Sequence, residues 1–571
     1  LTRLLKKNWP WLAAAFVLLS GIGLLFRYTL AGNDGHFVYA LDDPYIHLAM
    51  ARNFAEHGVW GVTRREFTAS SSSPLWTLLN TAVFLLLGER LVAPFALALA
   101  FSLLALAVAA HILKSFAVPN TEVFPVLMAL ALMAPLPALV FGGMEHPLQI
   151  VLALALTFVA ARILAGEESR NSVRFLLVMA PLLVATRYEG MFLLLVIAAL
   201  ALLRRRVKLG LTLPAAGALP VIIYGVISLR HGWSFLPAPI LMKSGLVGAT
   251  SLETFAGNLF ARFRMNLVES PELVFLVAFL GTLELGRLRR ENRERTPAQF
   301  MTLIFLATAV MHLVLARFGW LFRYEAYLIA LGIVVAGCRI AAVKRIFLED
   351  GSPTAKGGRS GRAALALFAL ATLSLLLFRG VSALAKVPRA TRNIYEQHYQ
   401  MARFVKTYYE GSAVALNDVG AVNFYSDIRC LDLWGLAHRD VAAHRMGGTY
   451  TREVIEGIAA REGARIAMVY DDWFAPEEVG LPTGWTLTGK WKVARNVVVG
   501  SDTVSIYAVD AAEVPRLIHA LSEFSPTLPS SIEQTGLYIE SRRAAETDNS
   551  SPERTEHAHR PGPRAREARA R

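Results

Sequence analysis

Residues 41 to 53 read LDDPYIHLAMARN, and the first two polar positions are adjacent carboxylates, Asp42 and Asp43. A carboxylate in reach of a substrate hydroxyl serves as a general base, and one beside a cation orients it. Asp before Pro is also how a helix begins, with Asp43 at the cap and Pro44 at the first helical position. Capping accounts for Asp43 but not for Asp42, because neighbouring positions do not share a face. Asp42 is therefore the stronger functional candidate, with Asp43 beside it.

Charges of both signs recur where other apolar segments end. GGMEHP (142 to 147) carries Glu145 and His146, and TRYEG (186 to 190) carries Arg187 and Glu189. The Pro-broken RHGWSFLPAPILMKSG (230 to 245) carries Lys243, and RFGWLFR (317 to 323) ends in Arg323. A single such residue at a helix end needs no more explanation than a stem extended toward water. Gathered on one side, cations and carboxylates fit chemistry on a substrate that carries phosphate. Lys243, Arg187 and Arg323 are the candidate cations, and Glu145, His146 and Glu189 the polar residues gathered with them. With Asp43 those acids also form a candidate set for a divalent cation held by oxygen ligands, though their spacing is dispersed and the metal stays unknown.

The elements that must position these residues are membrane helices. Hydrophobic residues make up 54% of the 571, the mean hydropathy is positive, and apolar segments recur along most of the first 380 positions, which excludes a soluble multidomain protein. The net charge of +14 invites a nucleic-acid partner, but RRRVK (204 to 208), RLRRENRER (287 to 295) and the stretch from 339 to 362 lie between apolar segments. They read as cytoplasmic loops, so no nucleic acid is expected. Alternation then requires about eleven spans, near 9–30, 91–113, 124–141, 147–165, 173–186, 190–203, 209–229, 272–286, 299–316, 324–341 and 363–379. Residues 74 to 88 would reverse the parity and are read as an interfacial helix, with Trp76 at headgroup level.

The expected fold class is thus a polytopic α-helical membrane protein with a C-terminal extracytoplasmic α/β domain, in the inner (cell) membrane. Its module at 1–387 has a first outer loop at 31–90. The domain at 388–530 carries strands at AVALND, RCLDL, ARIAMVY, WKVARNVVV and TVSIYAV, and a disordered tail follows at 540–571. Asp418, Asp427 and Asp432 are acceptor-binding candidates, although Asp before a turn is commonly only a turn residue. Cys338 and Cys430 imply neither a disulfide framework nor a thiolate metal site.

The order of these motifs resembles the class C glycosyltransferases (GT-C). The shared pattern is an acidic pair in the first outer loop, a small-polar-PLW segment, a Gly-x-Glu corner, T-R-x-E-G, L-P-x-P-x-x-x-K-S and D-x-G-A…D-L-x-G-L. Within that class the chain is most similar to the bacterial arabinofuranosyltransferase-like branch. The resemblance covers about Trp9 to Arg445, and Tyr188 and Ala238 depart from the branch's pattern. It implies a GT-C-like fold and a polyprenyl-phosphate sugar donor reached from membrane lipid. The reaction would be an inverting transfer to a cell-envelope glycan, lipid or protein acceptor, with no certain cofactor. It would need a base, for which Asp42 is the catalytic candidate with Asp43 the second, cations on the donor phosphate, for which Lys243, Arg187 and Arg323 are the candidates, and Glu145, His146 and Glu189 to position the acceptor. A lipid-glycan transporter or flippase, or a lipid-linked glycan ligase or polymerase, would share many spans with buried charge. Transporters, however, place such residues near the midplane of repeated halves, and no repeat is visible here.

Overall fold

The structure, a computed structural model, describes residues 2–244, 252–288, 295–340, 344, 359–475 and 479–549. Helices come first: α1 (Thr2–Gly32), α2 (Asp43–His57), α3 (Pro74–Leu87), α4 (Ala93–Ser115), α5 (Asn120–Met133), α6 (Leu136–Phe141), α7 (His146–Leu164), α8 (Arg170–Thr186), α9 (Gly190–Leu203) and α10 (Val207–Arg230). They continue as α11 (Ala238–Ser244), α12 (Leu252–Glu269), α13 (Pro271–Leu288), α14 (Pro297–Leu315), α15 (Ala326–Cys338) and α16 (Arg359–Ile394).

Among the described residues seven helices are long and apolar enough to cross a membrane. The count becomes eight if Glu253–Glu269 and Pro271–Leu285, bent by 91°, form one span. Three shorter apolar helices, Pro74–Leu87, Gly190–Leu203 and Ala326–Cys338, stand beside them. Each of the expected spans falls on a helix, and the protein is a multi-pass helical membrane protein. Fewer pass on length because α8, α9 and α15, at 17, 14 and 13 residues, rise only about 20–26 Å against a hydrocarbon core of about 30 Å, and α13 passes only together with α12.

Local chemistry sets several boundaries. Ser73 caps α3 by accepting the Trp76 N–H at 3.3 Å, with Pro74 just inside. Gly58 closes α2 in the left-handed region at φ 68°. Two expectations are corrected here. Asp42, not Asp43, holds the cap position of α2, and its side chain makes no capping bond. Trp76 is fully buried and its Nε1 donates to the Gly143 carbonyl at 3.2 Å, so it belongs to protein packing and not to a headgroup layer.

Helix α16 runs without a break into a π-helical turn, Tyr395–Tyr399, and then α17 (Gln400–Tyr408). The chain next forms a six-stranded sheet in the order β2-β1-β3-β5-β4-β6. Its strands are β1 (Ala413–Leu416), β2 (Arg429–Asp432), β3 (Ala464–Val469), β4 (Thr486–Lys492), β5 (Thr503–Ala508) and β6 (Glu533–Thr535). β1 pairs in parallel with β2 and β3, and the remaining pairings are antiparallel. A short helix, α18 (Gly420–Tyr425), crosses from β1 to β2. Leu537–Asn549 is helical, and the rest of the expected tail lies outside the described residues.

Candidate active site

Asp42 and Asp43 part company immediately. The Asp42 carboxylate accepts the backbone N–H groups of Gly420 at 2.7 Å and Ala421 at 2.8 Å, at the start of α18. Asp418 follows β1 and Tyr470 follows β3. The connections from β1 to β2 and from β2 to β3 depart in opposite directions, so this crevice is a switch point of the parallel strands, where anions and ligands bind. In this protein a carboxylate from the membrane module occupies it.

His398, on the π-helical turn, completes the cluster. Its Nε2 lies 3.0 Å from Asp418 Oδ2 and 3.0 Å from the Tyr470 hydroxyl, which donates to Gln397 Oε1 at 2.7 Å. One ligand-capable atom each from Asp42, His398 and Asp418 lies within 4.8 Å of the others. π-Helical turns are frequent at functional sites because they re-aim side chains. Burial pushes the Asp42 carboxyl up to about 6, opposed by nearby His398, reinforced by Asp418 and opposed by the two backbone N–H groups. That value suits a general base working near neutrality.

Asp43 faces the helical bundle and pairs with Arg323 Nη2, which also donates to the Tyr324 hydroxyl at 3.0 Å. Arg187 donates from Nη1 to Glu145 at 3.1 Å and from Nη2 to Glu189 at 2.6 Å. Both guanidinium groups sit against one ring: Arg323 lies 4.9 Å and Arg187 5.3 Å from the Tyr324 centroid, with His146 at 6.2 Å. Asp43, Glu145, His146, Arg187, Glu189 and Arg323 thus form one constellation at one end of the bundle.

Arg323 is its most telling member. It is 3% exposed, and its Nε and Nη1 have no hydrogen-bond partner among the described residues. Buried donors left unanswered cost about 1–3 kcal/mol, more when charged, so this guanidinium is arranged to receive something. Glu145 Oε2 is likewise unpartnered among the described residues. Lys243 lies on α11, but its side chain is outside the described residues.

Two further aspartates have structural tasks. Asp432 accepts N–H groups from Trp434 at 2.7 Å and Ala437 at 2.6 Å, shaping the turn that follows β2, and Asp427 pairs with Arg64. Sequence reasoning missed His398, Tyr470 and Tyr324. The arginine carboxylate pairs also occupy the acids expected to hold a cation, whereas the cluster of metal-ligand type is Asp42, His398 and Asp418.

Residues 392–507 match a family model described as a domain of unknown function (DUF8728). No curated protein matches the chain. Among solved structures, it is similar to ArnT from Cupriavidus metallidurans bound to undecaprenyl phosphate, at 14% identity and TM-score 0.45 over 88% of this chain and 99% of that one. It is also similar to the apo oligosaccharyltransferase of Archaeoglobus fulgidus, at 12% identity and TM-score 0.46 over 87% of this chain and 75% of that one. The same enzyme solved with Zn and sulfate gives 10% identity and TM-score 0.45 over 87% and 74%.

Proposed function

We propose that this protein is an integral membrane glycosyltransferase of the GT-C type. It moves a sugar from a polyprenyl-phosphate donor to a hydroxyl of an envelope glycan, lipid or protein. The observation that carries this reading is Arg323: a buried guanidinium with two donors unanswered among the described residues, at the rim of a membrane bundle, is chemistry for an anion that arrives on a lipid. The neighbouring ArnT structure contains undecaprenyl phosphate, which is the class of ligand this reading assigns to the present chain.

In the proposed reaction the acceptor oxygen attacks the anomeric carbon while Asp42 takes its proton, and the bond to the phosphate oxygen breaks with inversion. Arg323 receives the growing charge on the phosphate, with Arg187 and Lys243 as the other cations. Asp43 and Tyr324 hold the Arg323 fork, while Glu145 and Glu189 hold Arg187. His146 and Oε2 of Glu145 face the acceptor in this reading.

A groove of about 1000 Å3 suits the lipid tail, with Phe54, Trp60, Leu78, Pro181, Pro220 and Ile227 in its walls and Arg65 and His231 at its edge. Phe54 lies on α2 roughly 16 Å of helix rise from Asp43, and Pro181 roughly 9 Å before Arg187 on α8. A chain with its phosphate at the arginines reaches the groove within a few isoprene units.

The decisive assay incubates the membrane-embedded protein with a panel of radiolabelled polyprenyl-phosphate sugars and an envelope extract as acceptor. Transfer from at least one donor, abolished by Asp42→Asn, is expected. Absence of transfer across the panel, with the protein folded, overturns the reading.

A further inference from the structure

Two residues from Arg323, at Glu325, the bundle buries a second set of charges. Arg379 of α16 is 1% exposed. Its Nη1 donates to Glu272 at 2.7 Å and Glu325 at 2.5 Å, and its Nη2 donates to the Phe322 carbonyl at 2.6 Å. Glu272 opens α13 and Glu325 precedes α15, and both are buried. A buried ionic cluster is poor value as stability, because well-packed apolar residues often hold a core as firmly. Its geometry is better understood by what it orients.

Two of its three contacts, Glu325 and the Phe322 carbonyl, lie on one turn, and the third, Glu272, ties that turn to α13. Trp320, Leu321 and Phe322 have φ of 47°, 64° and 59°, a left-handed run that side chains with a Cβ resist and that persists only when its surroundings impose it. Arg379 fixes the last carbonyl of that run, and its guanidinium lies 5.0 Å from the Phe322 ring. Glu325 fixes the far side, accepting the Gly319 N–H at 3.4 Å as well. Between these anchors stand Arg323 and Tyr324. Without the clamp, a turn of three such residues relaxes toward ordinary backbone angles, and Arg323 swings away from Asp43.

We propose that Glu272, Arg379 and Glu325 form a positioning clamp that holds Arg323 and Tyr324 in the donor-phosphate site. The proposal rests on the assignment of the phosphate to Arg323. It joins α13, α15 and α16 to the site through a single backbone carbonyl and two carboxylates, none of which touches substrate.

The test uses the purified full-length chain, binding of a radiolabelled polyprenyl monophosphate, and donor kinetics. Arg379→Lys keeps the charge but has no fork to span two carboxylates and a carbonyl. It should give monodisperse protein with affinity for the lipid phosphate lowered roughly tenfold, and donor KM raised more than kcat is lowered. Adding Trp320→Gly, which removes a Cβ from the left-handed turn, should recover most of that loss. Glu325→Gln, close in size, is the second variant and should behave as Arg379→Lys does. If Arg323→Gln weakens binding while the clamp variants do not, the clamp falls and the phosphate site stands. If Arg323→Gln is itself without effect, both fall. A loss in Arg379→Lys that Trp320→Gly leaves untouched marks general loosening of the bundle and also overturns the clamp.

Discussion

Asp42 and Asp43 are consecutive in the chain and answer to different halves of the molecule. Asp42→Asn should abolish transfer while leaving lipid-phosphate binding intact, since an amide cannot take the proton. Asp43→Asn should weaken donor binding, because Arg323 loses the carboxylate that aims it. With the Asp42 carboxyl near 6, its charged form is the working base. The rate should therefore rise with pH through about 6 and fall on acidification, as read from log kcat/KM between about pH 5 and 8; a flat profile would remove Asp42 from the proton transfer. The two arginines should also behave differently. Arg323→Gln should cost about 1.5–3 kcal/mol of lipid-phosphate affinity, as for a hydrogen bond to a charged group. Arg187→Gln removes one of the phosphate cations and also leaves buried Glu145 without its partner, so beyond weaker lipid-phosphate binding it should lower fold stability by about 3–5 kcal/mol in a melting assay; an unchanged melting temperature would contradict this second role. Sequence alone points to the acids and arginines because charge at the ends of apolar runs is conspicuous. His398 is not legible there: in YEQHYQ it is one polar residue among several on a helix, and what makes it special, Asp42, lies far along the chain.

At the scale of elements, the contact between α18 and the loop before α2 carries the site. A Cβ at Gly420 would come 2.3 Å from the Asp42 carbonyl oxygen and 2.5 Å from Oδ2, so something must shift. Gly420→Ala should separate the sheet from Asp42 and lower kcat at least tenfold, about 1.4 kcal/mol in the barrier, with donor affinity little changed. Unaltered kcat would show that Asp42 works without this contact. Helix positions and four of the five expected strands can be read because apolar runs and β-branched residues are local signals; WKVARNVVV is the exception, strand only at Trp491 and Lys492, where β4 ends. Neither carboxylate caps α2, because tertiary partners claim both: Gly420 and Ala421 hold Asp42, and Arg323 holds Asp43, the one that a local rule assigns to capping. Trp76 departs from its expected place for a similar reason: an indole on an apolar helix looks interfacial until a second layer, here the Gly143 corner, covers it.

For the whole molecule, the sidedness of the sheet is the outstanding expectation. A phosphatase fused at Ala511 should be active in intact cells and one fused at Arg205 inactive; the reverse pattern would place the Asp42 end in the cytoplasm, away from the envelope acceptors proposed here. Composition and basic loops are enough by themselves to mark a multi-pass protein, because long apolar runs and the charges that flank them are written in consecutive residues. The joining of its halves is not legible in that way. The D-x-G-A segment reads as strand and turn, and nothing in it announces that its backbone N–H groups will receive a carboxylate from the other end of the chain.

The unbroken course of α16 through the π-helical turn into α17 has a consequence for anyone who would graft one such sheet onto another bundle. The rod delivers His398 in a fixed rotational phase, and the sheet returns to Asp42 by a separate route, so the two attachments must agree in angle as well as in distance. A junction cut into the rod would alter that phase by about 100° for each residue gained or lost, turning His398 away from Asp418. Exchangeable modules of this design must therefore be spliced in register, by whole turns, with residues 41 to 43 travelling in the same cassette.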